Sequence, residues 1–144
     1  MPDTSLSFIS DLWIIGDSYV YWAEQRAAHR QLQHNLSLRQ IKGISWAGSR
    51  GMKWSQLKHA LLYLALHNPS PKAILIHLGS NDLGSLKSIE MRHAMKEDIL
   101  SIFETFPDAS LIVSALLPRL VWQRTCIPVD KLERKRRQLN RFIK

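Results

Sequence analysis

The chain has 144 residues, 45% hydrophobic and 22% charged, a balance that excludes a disordered chain and indicates one globular domain. No apolar run approaches the roughly 18 residues of a membrane span, and the first residues lack the basic segment of a secretory signal. A single cysteine, Cys126, excludes an internal disulfide and suits a reducing compartment, so we expect an intracellular protein, cytoplasmic or nuclear. The net charge is +8.

The first half of the chain contains two candidate strands and two candidate helices. The apolar run Leu12–Gly16 predicts a buried strand, and a helical pattern follows from about Ser18 to Gln33. The stretch Asn35–Ile41 alternates between apolar and polar residues, which predicts a strand near the edge of a sheet. Three leucines at helical spacing then predict a helix over Trp54–Asn68, before Pro69.

The second half repeats the alternation of strand and helix. Continuous apolar runs predict strands at Ala73–Gly79 and Ser110–Leu117, separated by a helix over Ser88–Phe106 that Pro107 ends. Continuous rather than alternating apolar strands are typical of parallel sheets covered on both faces. We therefore predict a three-layer α/β/α sandwich with a parallel sheet, in which residues 1–144 form a single domain.

The excess positive charge is concentrated at the C-terminus. Asp130–Lys144 holds seven Lys/Arg and two acidic residues, and its apolar residues fall at helical spacing. A solvated amphipathic helix is the plain interpretation. The alternative is a nuclear-import signal or a nucleic-acid contact through four consecutive basic residues, Arg134, Lys135, Arg136 and Arg137.

Polar residues and glycines follow the predicted strands. Ligands bind beyond the carboxyl ends of parallel strands, so these loops are where we expect a site. The loop residues are Asp17 and Ser18 after the first strand, Gly48 and Gly51 in the second loop, and Gly79, Ser80, Asn81 and Asp82 after the third.

These groups match the requirements of acyl transfer. A serine at the first turn of a helix offers a hydroxyl, and its own N–H is unpaired within the helix. Glycines allow the backbone to approach a ligand closely, and the Asn81 side chain can donate from its amide. The pattern indicates a nucleophile facing donors for an oxyanion. The plain alternative is that Asp17 or Ser18 only caps a helix and Asn81–Asp82 only forms a turn.

The same stretches resemble the SGNH (GDSL-like) hydrolase family. "IIGDSYVYW" is similar to its first block, "WAGSRGMKWSQL" to its second and "IHLGSNDLG" to its third. The resemblance implies a flavodoxin-like fold and a serine esterase without a cofactor, acting on a small-molecule ester. It also implies that Ser18 is the nucleophile and that Ser18, Gly51 and Asn81 form the oxyanion hole. Trp46 replaces the asparagine usual before the second block, and the surrounding residues also resemble SGNH domains of some vertebrate retroelements.

The fourth block of that family, Asp-x-x-His, does not occur in this sequence. The resemblance implies that its histidine takes the serine proton, so we expect little or no turnover from the 144 residues. Either the last strand and this block are missing at the C-terminus, or the domain has lost its triad. The second possibility suggests a non-catalytic module that binds nucleic acid or a protein, and a third is a flavodoxin-like domain whose motifs are coincidental.

Several other residues have alternatives that the sequence leaves open. Arg50 lies between two loop glycines, where it is either solvated or a contact for an anionic substrate. Trp46 and Trp122 fall in predicted loops that face the site. His77, inside the third strand, is better explained as a packing residue than as a base. No cluster of His, Cys and acidic residues has metal-ligand spacing, so we predict no metal.

Overall fold

A computed structural model describes residues 11–30, 36, 38, 41–119, 122 and 125–144. Within this part of the chain, strands and helices alternate. The strands are β1 (Leu12–Gly16), β2 (Ile44–Gly48), β3 (Ala73–His77) and β4 (Ser110–Val113). The helices are α1 (Ser18–His29), α2 (Leu57–His67), α3 (Ser88–Thr105) and α4 (Val129–Ile143), and short 3₁₀ turns lie at Trp54–Gln56 and Ser80–Asp82.

The described strands form one parallel sheet in the order β2-β1-β3-β4. This is the beginning of the flavodoxin-like order, in which the direction of winding reverses between β1 and β3. The register aligns the strand ends, because Gly16 pairs with both Gly48 and His77. The loops after β1, β2 and β3 therefore leave the sheet side by side.

One face of the sheet carries the main hydrophobic core. Trp13 and Ile15 alternate with Ile14 along β1, so they share a face that Ile74 and Ile76 of β3 continue. Helices α2, α3 and α4 supply the other half of this core, and Trp13 makes an edge-to-face contact with Phe106. The buried helix residues are Leu57, Leu61, Leu64, Met91, Met95, Ile102, Leu132 and Leu139.

The other face is covered by α1 over β1 and β2 and is more open over β4. Ile14 packs on this side and is 7% exposed, whereas Ile112 of β4 is 48% exposed. Helix α1 lies so close to the strands that a Cβ on Gly48 would come within 2.5 Å of the Tyr21 backbone nitrogen. Glycine at this position therefore permits the packing of α1.

Helix α4 fixes the chain after β4. Asn140 accepts a hydrogen bond from the Leu116 N–H and donates to its carbonyl, and Arg136 donates to the same carbonyl. Lys135 donates to the carbonyls of Leu83 and Leu86. Two of the four consecutive basic residues thus make internal contacts, so the structure gives the predicted nucleic-acid contact no support.

The predicted parallel α/β sandwich is confirmed, with corrections to individual elements. The strand predicted at Asn35–Ile41 falls largely outside the described residues, and the strand that pairs with β1 is Ile44–Gly48. Helix α1 ends at His29 rather than Gln33, and β4 ends at Val113 rather than Leu117. That the chain forms a single domain stays a prediction. None of the described helices combines the length and apolarity needed to cross a membrane.

Candidate active site

A cleft of ≈ 990 Å³ lies at the carboxyl end of the sheet. It receives residues from the loops after all four described strands, beside the point where the winding reverses. Ser18, Gly48, Gly51 and Asn81 all line it. Other described lining residues are Tyr21, Trp22, Ser49, Arg50, Lys53, Ser80, Gly84, Ser85, Arg119, Trp122, Thr125 and Leu132.

Ser18 begins α1 and is held by its neighbour Asp17. The Asp17 side chain is fully buried, and it caps the helix by accepting a hydrogen bond from the Tyr19 N–H at 3.1 Å. The Asp17 N–H donates to the His77 carbonyl at 3.3 Å, which ties this loop to β3. Because Ser18 is the first helical residue, its N–H has no carbonyl partner within the helix. Both the Ser18 hydroxyl and this N–H are therefore suited to meet a ligand in the cleft.

The loop after β2 is attached to the first loop and then turns outward. The Ser49 N–H donates to the Gly16 carbonyl at 3.0 Å, and the Met52 N–H donates to the Ser49 carbonyl at 3.2 Å. Gly51, between them, has a φ of 74°, in the left-handed region that favours glycine. A Cβ added there would meet no atom within 4 Å. The backbone conformation therefore favours glycine at position 51, although there is room for a larger side chain.

The loop after β3 binds the second loop twice. The Asn81 amide donates to the Met52 carbonyl at 3.0 Å, and Asp82 accepts a hydrogen bond from the Trp54 N–H at 2.9 Å. An amide nitrogen carries two hydrogens, so Asn81 can keep one for a ligand. Burial raises the pKa of Asp82, and the hydrogen bond from Trp54 only partly offsets it. Asp82 is therefore a buried hydrogen-bond acceptor that aligns the loops after β2 and β3.

Arg119 enters the cleft from the chain after β4. Its guanidinium lies 3.7 Å from the Asp17 carboxylate and 3.5 Å from the Asn81 amide oxygen. The rings of Tyr19 and Trp122 flank it at 5.4 and 5.3 Å. Arg119 thus joins the predicted nucleophile loop to the predicted oxyanion loop. No local pattern in the sequence predicts Arg119 as a site residue, because its partners are distant along the chain.

His77 is buried beside the cleft, and its Nδ1 is hydrogen-bonded to the Ser114 hydroxyl at 3.0 Å. Burial lowers the pKa of His77, with the nearby Asp17 opposing this effect. Tyr19 packs edge-on against the imidazole ring, 5.4 Å between centroids. These contacts explain His77 as a packed residue of the sheet. Within the described part of the chain, no group of three or more His, Cys, Asp or Glu is placed to hold a metal ion.

Two sets of residues in and around the cleft differ in exposure. Four residues form what we call the floor of the cleft: Gly16, Asp17 and Asp82 are buried, and the side chain of Arg119 is 17% exposed. Exposed residues of the second loop form what we call the rim: Ser49, Arg50, Gly51 and Lys53. Gly79 is also buried, with a φ of 125°. Trp122 lines the cleft, whereas Trp46 lies within β2, which corrects its predicted place in a loop.

No family model and no curated protein matches the sequence. Solved structures do match: a proposed platelet activating factor from Streptococcus pneumonia superposes with a TM-score of 0.67 at 20% identity, covering 97% of this chain and 63% of that one. A proposed lipolytic protein of the G-D-S-L family from Desulfitobacterium hafniense DCB-2 gives 0.57 at 12% identity, covering 91% and 70%. The chain thus spans less than two thirds of the streptococcal protein. At sequence identities this low, the comparisons show the fold alone. The chain has the SGNH (GDSL-like) hydrolase fold.

Proposed function

We propose that this chain carries the site of a serine esterase in which Ser18 attacks the carbonyl carbon of a carboxylic ester. The single observation that supports this most strongly is that Ser18, Gly51 and Asn81 line one cleft at the winding reversal of an SGNH-type sheet. Ligands bind at this place in open α/β sheets. The lipolytic name of the Desulfitobacterium hafniense protein with this fold agrees with the chemistry of the residues.

In the proposed reaction, the bond from Ser18 Oγ to the acyl carbon forms while the hydroxyl proton passes to a base. The bond from the acyl carbon to the alcohol oxygen then breaks, and the alcohol leaves with a proton. Water cleaves the Ser18 ester in the second half and releases the acid. The oxyanion is held by the N–H groups of Ser18 and Gly51 and by the free hydrogen of the Asn81 amide. One such donor contributes about 3–4 kcal/mol to the transition state.

The proton acceptor is the incomplete part of this site. The sequence has no Asp-x-x-His, and His77 is buried in β3 and is not among the described residues that line the cleft. A correctly placed general base contributes about 10²–10⁴-fold in rate. We therefore expect the 144 residues to be acylated slowly on their own. A small base that diffuses into the cleft could replace the missing imidazole.

The test is rescue by imidazole. Purified chain is mixed with p-nitrophenyl butyrate, with and without imidazole, and acylation is followed by nitrophenol release and by intact mass. We expect imidazole to accelerate acylation of the wild-type chain at least tenfold more than that of Ser18→Ala, since only the former presents the hydroxyl. Ser49→Ala is the matched control, because Ser49 is an exposed serine lining the same cleft. It should behave as the wild type.

Two results would contradict the proposal. Equal acylation of wild type and Ser18→Ala would place the nucleophile elsewhere. No acylation of either at any imidazole concentration, with both proteins folded by circular dichroism, would favour the second candidate, a non-catalytic binding module. The absence of Asp-x-x-His from the sequence is the observation that keeps this second candidate open.

A further inference from the structure

The charged side chains described in the lining of the cleft are all positive. Among the described residues that line it, Arg50, Lys53 and Arg119 carry positive charge, and none is an aspartate or glutamate. A concave site lined by one sign of charge concentrates ligands of the opposite sign.

The guanidinium of Arg119 already has partners within the protein. It faces the buried Asp17 carboxylate at 3.7 Å and the Asn81 amide oxygen at 3.5 Å. Its charge is therefore balanced by the floor of the cleft. Neither Arg50 nor Lys53 takes part in any ion pair among the described residues. Lys53 lowers the pKa of the Asp82 carboxyl electrostatically, but Asp82 is buried, only 2% exposed. The uncompensated charge thus belongs to the rim.

Arg50 is also held in place. Its guanidinium lies 5.4 Å from the centre of the Tyr21 ring and 5.9 Å from that of Trp22, and these two rings pack edge-to-face. Tyr21 and Trp22 are three and four residues after Ser18, so all three share one face of α1. One helical turn is about 5.4 Å. The aromatic pair, which begins about one helical turn after the proposed nucleophile, therefore holds an exposed cation at the same cleft.

We propose that the substrate of this cleft is an ester with a negatively charged group, a carboxylate or a phosphate, on the part that lies over Arg50 and Lys53. This rests on the proposed esterase function and specifies its substrate class. The ester carbonyl sits at Ser18 while the anion meets the rim, and Tyr21 and Trp22 provide the apolar surface between them. Because both cations are exposed, each contributes modestly to affinity, and the contribution falls with salt.

The experiment measures binding independently of hydrolysis. Three 4-nitroanilides, which keep the carbonyl but are not cleaved on the timescale of a titration, are compared by quenching of tryptophan fluorescence. The butyric anilide is neutral, the succinic monoanilide carries a carboxylate and the 3-phosphonopropionic anilide carries a phosphonate. At low ionic strength we expect both anionic anilides to bind about fivefold more tightly than the neutral one. The tighter of the two identifies the anion that the rim prefers.

Two double variants that each remove two positive charges show whether the preference for anions comes from the rim or from the net charge of the protein. Arg50→Gln/Lys53→Gln should abolish the preference for anions, whereas Arg134→Gln/Arg137→Gln, which removes the same charge from exposed positions of α4, should keep it. Ser18→Ala should also keep it. Equal affinity for the three anilides overturns the proposal, and so does a preference that survives Arg50→Gln/Lys53→Gln or disappears in the α4 variant.

The two proposals can fail separately. Loss of the anion preference while Ser18 is still acylated overturns the anionic substrate and leaves the esterase. An unreactive Ser18 with an intact preference, abolished only in the rim variant, overturns the esterase and supports the anion site.

Discussion

The floor and the rim of the cleft differ in how they are connected to the rest of the molecule. Each floor residue contacts a neighbouring strand or loop: Asp17 donates from its N–H to His77, and Asp82 accepts from Trp54. On the rim, Arg50 is exposed and contacts aromatic rings, and Gly51 has open space beside it. One cleft thus combines residues that determine the fold with residues that can change without disturbing it. Substitutions should separate accordingly into effects on stability and effects on binding.

The largest difference is expected between two glycines. A Cβ on Gly16 would lie 2.2 Å from the His77 carbonyl oxygen and 2.5 Å from Val20 Cγ2. The carbonyl belongs to the strand paired with β1, so it cannot move without breaking the sheet. We expect Gly16→Ala to lower the free energy of unfolding by about 3 kcal/mol or more. Urea denaturation followed by tryptophan fluorescence measures this value.

Gly51→Ala is the matched substitution on the rim. The new methyl group meets no atom, and the cost is that of a left-handed φ of 74°, about 1 kcal/mol. A loss in Gly51→Ala equal to that in Gly16→Ala would mean that the second loop is packed as tightly as the strands. The distinction between floor and rim would then fail.

A second comparison uses two arginines of the same cleft. Arg119→Gln leaves the fully buried Asp17 carboxylate without its cationic neighbour and removes the guanidinium between Tyr19 and Trp122. Because the 3.7 Å separation is long for an ion pair, we expect a loss of about 2 kcal/mol rather than the 3–5 kcal/mol of a tight buried pair. Arg50→Gln should change stability by less than about 0.5 kcal/mol. Thermal and urea unfolding of the two variants side by side decide the comparison.

The parts of the fold predicted correctly from sequence are those with strong local patterns. β1 is an apolar run that ends in Gly16, β3 is an apolar run that ends two residues before Gly79, and α3 ends just before Pro107, so their bounds were close. β2 was missed because its residues, ISWAG, mix polar and apolar types and all are partly exposed at the edge of the sheet. The alternation at Asn35–Ile41 gave the stronger but misleading pattern.

The site divides in the same way. Ser18, Gly51 and Asn81 could be predicted to share a cleft, because each follows a strand and parallel strands end at one edge. Arg119 could not, since its contact with Asn81 spans 38 residues and depends on how α4 anchors Leu116. The hydrogen bond from the Trp54 N–H to Asp82, across 28 residues, could not be predicted either. Long-range polar contacts have no periodicity that a sequence can display.

A third comparison uses two substitutions at Asp82, which separate the hydrogen bond from the charge. Asp82→Ala leaves the buried Trp54 N–H without an acceptor, and we expect a loss of about 1–2 kcal/mol at pH 7. Asp82→Asn keeps a carbonyl oxygen that can accept this bond, so its loss should be smaller. If the two variants are equally destabilised, the contact with Trp54 contributes little to the alignment of the loops.

The pH dependence of stability, compared between the wild type and Asp82→Asn, then measures how burial affects the charged form of Asp82. Because burial raises the pKa of Asp82 above its ordinary 3.8, the folded protein holds this proton at a pH where the unfolded chain has lost it. Its stabilising contribution is complete below pH 3.8 and is lost as the pH rises through the folded-state pKa. The wild type should therefore gain stability relative to Asp82→Asn as the pH is lowered from 7 toward 4. Taking the difference between the two proteins at each pH cancels the other carboxylates. A constant difference would show that folding leaves the Asp82 charge unperturbed, as on a solvated rim, and an opposite trend would show that the folded protein stabilises this charge.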